Sequence, residues 1–219
     1  MNARGIDISH WQNVTDWPAL YSSGLRFVGL KATQGATGLD SKFREYRAAA
    51  RTQPFLLRVF YAFLMPVVSG ADQAKHLLDV VGPLLPNERL CVDLEHRGGD
   101  GRLDVTLAQV DAFVGELLGG ACADRRPLLY TSRNIWRELG DPAWALASEV
   151  DLWMKRYARA PGEVPPPWAA RGWTVWQRSE NGTAPGIAGP VDIDEFAGDE
   201  AALAAYAKLG GAVTRTVVG

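Results

Sequence analysis

The sequence predicts an α/β fold of barrel type, with about eight strands and fewer outer helices than strands. Three observations carry this. Apolar runs rich in β-branched and aromatic residues recur about eight times in 219 residues, bounded by glycine, proline and cap residues. Stretches with helical spacing alternate with these runs, the order expected of a parallel sheet with crossover helices. The runs are apolar on both faces, as strands covered on each side must be. Helical stretches thin out toward the C-terminus, so a regular eightfold pattern is not expected, and no internal repeat is evident.

Taken in order, Ile6-Asp7-Ile8-Ser9 reads as the first strand, with Asp7 and Ser9 on one face. Thr15-Asp16-Trp17-Pro18 supplies a cap and an early proline for a helix that Gly24 stops. Phe27 to Ala32 is a second strand. Asp40 opens a helix whose Phe43, Tyr46 and Ala50 share a buried face. Phe55 to Phe63 is the third strand, and Ser69 begins a helix through Ala74, Leu77, Leu78 and Val81 that ends at Gly82-Pro83. A fourth strand runs from Arg89 into Asp93-Leu94-Glu95-His96, before the turn-forming run Arg97-Gly98-Gly99-Asp100-Gly101. Thr106 caps a helix with Val110, Phe113, Val114 and Leu117 as its core face and Gly119-Gly120 as its end. Pro127 to Thr131 is the fifth strand, followed by a short helix at Ile135-Trp136, and Val150 to Met154 is the sixth. Pro161 to Trp168 reads as an ordered surface loop. Trp173 to Gln177 and Val191 to Phe196 are the last two strands, joined hairpin-fashion through Asn181-Gly182 and Gly186. A helix from about Asp199 to Leu209 closes the domain, assigned to residues 1–209, and residues 210–219 read as a loose tail.

The chemistry concentrates at Asp93-Leu94-Glu95. Alternation along a strand puts Cys91, Asp93 and Glu95 on one face, with the two acids roughly 6–7 Å apart at Cα. Neighbouring acids raise the pKa of at least one of them, which general-acid catalysis near neutral pH requires. An isolated Asp-x-Glu is more often a solvated strand end, since structural ion pairs perturb acids too. In barrels of this class, however, acids at the C-terminal strand ends mark the site. Asp7, Asp93, Glu95, Asp192 and Asp194 are expected on that one rim. Gathering buried like charges from three strands costs stability and has no evident structural use.

Composition bounds the partners. A formal net charge of −2 gives no electrostatic reason to expect nucleic acid or an anionic membrane. No run approaches the length of a membrane span, and no signal peptide is visible at the N-terminus. The chain is thus expected to be made in the cytoplasm and to act elsewhere after release or delivery. Cys91, in mid-strand, reads as a buried free thiol; Cys122 leaves a covalent dimer open, although a monomer is expected. His10, His76 and His96 lack metal-ligand spacing, so neither metal nor cofactor is expected. The glycines of residues 98–101 lack the strand–turn–helix context of a nucleotide site. Eight tryptophans suit both cores and the stacking of sugar rings, and two or three are expected to line a groove. Tyr61, Tyr130, Trp153 and Trp176, at strand ends, are the candidates for sugar contact, with core packing as the competing role of each.

These residues fall into blocks. Gly5-Ile6-Asp7-Ile8-Ser9-His10-Trp11-Gln12 resembles the opening of the family-25 glycoside hydrolases, the Chalaropsis-type muramidases of bacterial autolysins and phage endolysins. The resemblance continues through Lys31-Ala32-Thr33-Gln34-Gly35, Tyr61-Ala62-Phe63, Val92-Asp93-Leu94-Glu95 and Tyr130-Thr131-Ser132. It then takes in Leu152-Trp153 with Tyr157, Trp176-Gln177, and Gly189 to Phe196. It implies an irregular TIM-like β/α barrel that hydrolyses the β-1,4 bond between N-acetylmuramic acid and N-acetylglucosamine in peptidoglycan strands. On matching positions, Glu95 is the proton donor, Asp93 the acid before it, and Asp7 and Asp192 the other two carboxylates. Retention with the substrate acetamido group as nucleophile is the implied mechanism, a recognised exception to the two-carboxylate scheme. Asp194 and Gln34 join the sugar-contact candidates.

Three positions depart from the pattern: Gln34 where Glu is frequent, Ala62 where His is frequent, and Lys155 where a small residue is usual. They bear on substrate contacts more than on the four acids. They leave an alternative open, a non-catalytic glycan-binding or structural module on a degenerate barrel. A barrel hydrolase acting on another N-acetylated glycan is a third reading.

Overall fold

A computed structural model describes residues 1–66, 68–96 and 103–208. The turn-forming run at 97–101, the end of the last helix at Leu209 and the tail 210–219 lie outside the described residues. Eight strands close into a barrel: β1 (Arg4–Ile8), β3 (Leu25–Gln34), β5 (Leu57–Phe63), β6 (Glu88–Asp93), β7 (Leu128–Thr131), β8 (Asp151–Lys155), β9 (Val175–Gly182) and β11 (Val191–Phe196). From β1 through β9 the barrel strands pair in parallel, and β1 also pairs with β3 to complete that side. Closure falls to β11, which runs antiparallel to both β9 and β1. Short strands β2 (Asn13–Val14), β4 (Gly38–Leu39) and β10 (Ile187–Ala188), too brief for a periodic signal, edge the mouth.

Local sequence explains the helices. In α1 (Trp17–Ser22) the Asp16 side chain accepts from the Ala19 N–H at 2.9 Å, with Pro18 in the first turn. In α3 (Gly70–Val81) Ser69 caps the start and Gly82, at φ 62°, the end. In α4 (Leu107–Gly119) Thr106 and Gln109 form a reciprocal capping box, satisfying two otherwise orphaned donors. Ser132 caps α5 (Arg133–Glu138) in the same way, accepting from Ile135. In α2 (Phe43–Thr52) Phe43, Tyr46 and Ala50 are buried as their spacing predicts. Asp40 lies before the helix and anchors its start by accepting from the Lys42 N–H. The last helix, α6 (Glu200–Lys208), packs Leu203 and Ala207 into the barrel floor.

Two hydrophobic cores result. Ile8, Val28, Phe60, Val92 and Leu129 point outward against the helices, whereas Phe27, Val59, Cys91, Leu128 and Trp153 fill the interior. Gly29 makes the interior layer possible: a Cβ there would lie 2.5 Å from Trp153 Cη2, so only glycine lets the indole cross the barrel. Between β7 and β8 the outer layer has α5 and one 3₁₀ turn, and between β8 and β9 only a 3₁₀ turn at Pro166–Trp168. Trp136, Trp144 and Trp168 fill that gap, with ring centroids 5.1–5.9 Å apart. The expected surface loop at 161–168 therefore ends in a core residue: Trp168 is buried and its Nε1 donates to Val150 O at 2.9 Å.

Both cysteines are buried free thiols. Burial pushes the Cys122 thiol up to about 12, so the covalent dimer left open by the sequence has no accessible thiol to form it. Among the described residues, no helix is long and apolar enough to cross a membrane.

Candidate active site

The C-terminal mouth of the parallel strands holds a cavity of about 230 Å³ lined by Asp7, Asp93, Glu95 and Asp192. It shares all four acids and Tyr61 with an adjoining hollow of about 390 Å³ that reaches Trp11, Lys31 and Gln34. Together they form a groove across the barrel top, the place where this class of barrel carries its chemistry.

Asp192 reaches the rim by a different route from the one expected. It is at the start of β11, not the end of a parallel strand, and the reversal of β11 brings that start to the mouth. There Asp192 pairs in register with Asp7, and Asp194 with Gly5 one step deeper. Asp194 is buried and accepts from Trp153 Nε1 at 2.9 Å. Burial, then the charge of Asp7, pushes its carboxyl well up; it sits beneath the site and is not among the residues lining the groove.

The four acids differ in setting. Asp7 accepts from Gln177 Nε2 at 2.7 Å, and Gln177 Oε1 accepts from the Tyr130 hydroxyl at 2.6 Å. Burial raises Asp7 to about 6 despite the Gln177 hydrogen bond. Burial and the neighbouring Asp7 raise Asp192 to about 8. Asp93 is buried at the end of β6, and burial, then Glu95, pushes it well above the ordinary carboxylate range. Its Oδ1 is buried with no hydrogen-bond partner among the described residues. Glu95 stands two residues on, past the end of β6. Its Oε2 is 2.7 Å from Lys155 Nζ. Burial thus falls on Asp93, whereas Glu95 is open to the groove and ion-paired.

The aromatic candidates divide. Tyr61, Tyr130 and Trp153 line the cavity. Burial, followed by the surrounding carboxylates, raises both phenols well above their ordinary value, so they are hydroxyl donors. Trp176 does not line it: on β9, Val175 and Gln177 face inward while Trp176 packs in the outer core and donates to Arg156 O at 2.8 Å. The two-residue alternation from Val175 makes Gln177 the inward residue, so Trp176 takes the core-packing role. Gln34 is exposed on the adjoining hollow and accepts from Lys31 Nζ at 2.9 Å. Ala62 faces the outer core, so its departure from the family pattern does not touch the groove.

Five residues that line the cavity were not among the candidates: Cys91, Lys155, Tyr157, Gln177 and Glu180. Lys155 and Trp153 share the inward face of β8, and Glu180 and Tyr157 complete the cavity wall. Trp11, 81% exposed, stands at the edge of the hollow. Its loop is tied down where His10 Nδ1 meets Asp40 Oδ2 at 2.7 Å and Tyr46 donates to Gln12 O at 2.6 Å.

A closed β/α barrel with four acids and an aromatic-walled groove at its mouth defines a glycoside-hydrolase type of site. The Glycosyl hydrolases family 25 profile matches residues 6–187, and the chain belongs to that family. It is 28% identical over 211 residues to Lysozyme M1 of Streptomyces globisporus, covering 93% of this chain and 71% of that one. It is 30% identical over 190 residues to the N,O-diacetylmuramidase of Chalaropsis sp, covering 81% and 88%. The bacterial lysozyme structure from Streptomyces coelicolor superposes with a TM-score of 0.84 at 27% identity, over 95% of this chain and 98% of that one.

Proposed function

We propose that this protein is a muramidase, hydrolysing the β-1,4 bond between N-acetylmuramic acid and N-acetylglucosamine in the peptidoglycan of a cell wall. The observation that carries the reading is the convergence of Asp7, Asp93, Glu95 and Asp192 on one groove, in a chain of this family.

Glu95 is the acid/base: exposed to the groove, it protonates the leaving oxygen and later takes a proton from water. Asp93 aligns the substrate. Its buried, unpartnered Oδ1 lacks a donor that a sugar acetamido N–H supplies, turning the acetamido oxygen toward the anomeric carbon. Held in that geometry, the acetamido group is the nucleophile, the configuration is retained, and positioning supplies roughly 7 kcal/mol or more of the barrier reduction. Asp7, held by Gln177, stabilises positive charge that develops on the sugar ring, and Asp192 beside it orients the sugar. Tyr61, Tyr130 and exposed Trp11 offer hydroxyls and an aromatic face to the glycan.

Purified sacculi incubated with wild type and Glu95→Gln test this. Wild type is expected to generate reducing-end N-acetylmuramic acid. The variant is expected to bind sacculi with a rate lower by about 10²–10⁴-fold, the usual worth of a positioned acid. A wild type that binds sacculi without creating reducing ends would support a non-catalytic glycan-binding module instead.

A further inference from the structure

Lys155, the last residue of β8, sends its ammonium across the mouth to Glu95, at 2.7 Å from Oε2. The two side chains are 31% and 26% exposed, so the pair is partly withdrawn from water. The acids around it come from every side: Asp93 on the same segment as Glu95, Glu180 from β9, Asp7 from β1 and Asp192 from β11. Lys31, from β3, acts on Asp93. Tyr61 and Tyr130 close the walls, and Lys155 Nζ lies 5.4 Å from the Tyr157 ring centroid.

This pair and the chemistry exclude one another. The ion pair exists only while Glu95 is a carboxylate, whereas the leaving sugar needs a proton from that same group. Lys155 also lines a second hollow, of about 500 Å³, whose wall carries Arg133, Arg137 and Arg156. Arg133 is engaged by Asp141 and Glu163, whereas Arg137 donates to Asn134 Oδ1 and Arg156 to Pro161 O. Lysine is a point charge on a flexible four-carbon stem, suited to changing partners.

We propose that Lys155 is a specificity-determining residue that exchanges Glu95 for a carboxylate on the substrate, freeing Glu95 to carry its proton when an anionic glycan fills the groove. This rests on the muramidase reading. The carboxylate is borne by the muramic-acid unit, either as its lactyl group or, where that group is amidated, on the attached peptide. No covalent bond changes: the ammonium moves from one carboxylate to another, and Glu95 takes a proton from solvent.

The test compares three substrates: intact sacculi, peptide-stripped strands with free lactyl carboxylates, and the same strands with those carboxylates converted to methyl amides. Wild type is expected to prefer the stripped acidic strands over the amidated ones by at least about tenfold in kcat/KM. Lys155→Gln is expected to bring that ratio within about twofold by gaining rate on the amidated strands, while Lys155→Arg keeps the preference. Faster cleavage of sacculi than of stripped acidic strands assigns the carboxylate to the peptide, and the reverse assigns it to the lactyl group. Equal cleavage of acidic and amidated strands by wild type overturns the proposal without need of any variant. An unchanged ratio in a folded Lys155→Gln does the same. Wild type cutting none of the three substrates overturns the muramidase reading itself, and this proposal with it.

Discussion

Asp7 and Asp192 stand directly opposite one another in the antiparallel pair of β1 and β11, within a barrel whose strands β1 through β9 pair in parallel and only β11 runs against both neighbours. Like charges placed opposite each other across strands are destabilising. Here the arrangement is relieved by protons: burial holds Asp7 at about 6, and burial together with the charge of Asp7 holds Asp192 at about 8. The site therefore stores a pH-dependent cost to folding.

The sign of that cost follows from linkage. An acid whose pKa is raised on folding contributes full stability below its unfolded value, near 3.8, and loses it as pH rises through the folded value. Asp192→Asn is expected to raise the melting temperature by several degrees at pH 8.5 and to leave it little changed at pH 4, with activity reduced. A gain of equal size at both pH values, in thermal scans, would contradict the assignment.

Glu88 behaves in the opposite sense at the far end of the barrel. It is buried between Arg47 and Arg51, at 3.1 and 2.7 Å. Burial pushes its carboxyl up, but hydrogen bonds from Arg51, the Leu85 N–H and Arg47 outweigh this and leave it below its ordinary value. That stability is present above pH 4.5 and lost as pH falls. Glu88→Ala is expected to cost about 1–3 kcal/mol at pH 7, since it takes the hydrogen-bonded acceptor from half-buried Arg47 and exposed Arg51. Urea titration at pH 7 and pH 4 should show the deficit shrinking in acid.

Gly29→Ala tests the barrel interior. The new methyl would meet Trp153 at 2.5 Å, and overpacking of this kind costs about 1–3 kcal/mol. Because Trp153 holds Asp194 under the site, activity should fall with stability. A variant with unaltered melting temperature and kcat would show that the indole is free to move.

Trp11 tests the groove. It is exposed and its backbone is held by neighbouring contacts, so its removal has little to cost in folding. Trp11→Ala is expected to leave the melting temperature within about 1 °C. KM on long glycan strands should rise about fivefold, a loss of roughly 1 kcal/mol of stacking, with kcat held. Equal KM values for variant and wild type would remove Trp11 from the glycan path.

The helices were legible because their signals are local. Asp16, Ser69, Thr106 and Ser132 each sit a few residues from the N–H groups they cap, and Phe43, Tyr46 and Ala50 repeat at the helical period. The same locality explains the misses. Trp168 reads as loop because the partners that bury it, Trp136 and Trp144, are more than twenty residues away. Trp176 takes the core-packing role of its two, because the parity of its strand turns Gln177 inward instead.

By itself the sequence determined the main strands and helices in order, with the caps at Asp16, Ser69 and Thr106 readable from neighbours a few positions apart. It pointed to Asp7, Asp93, Glu95 and Asp192 through their strand ends and the family resemblance. Only the tertiary structure decided that β11 runs backward to close the barrel, which places Asp192 opposite Asp7. It alone decided that burial falls on Asp93 while Lys155, sixty residues along the chain, takes Glu95 as its partner. Desolvation and Coulomb energies sum over every atom brought near in space, and that sum exists only once the barrel has closed.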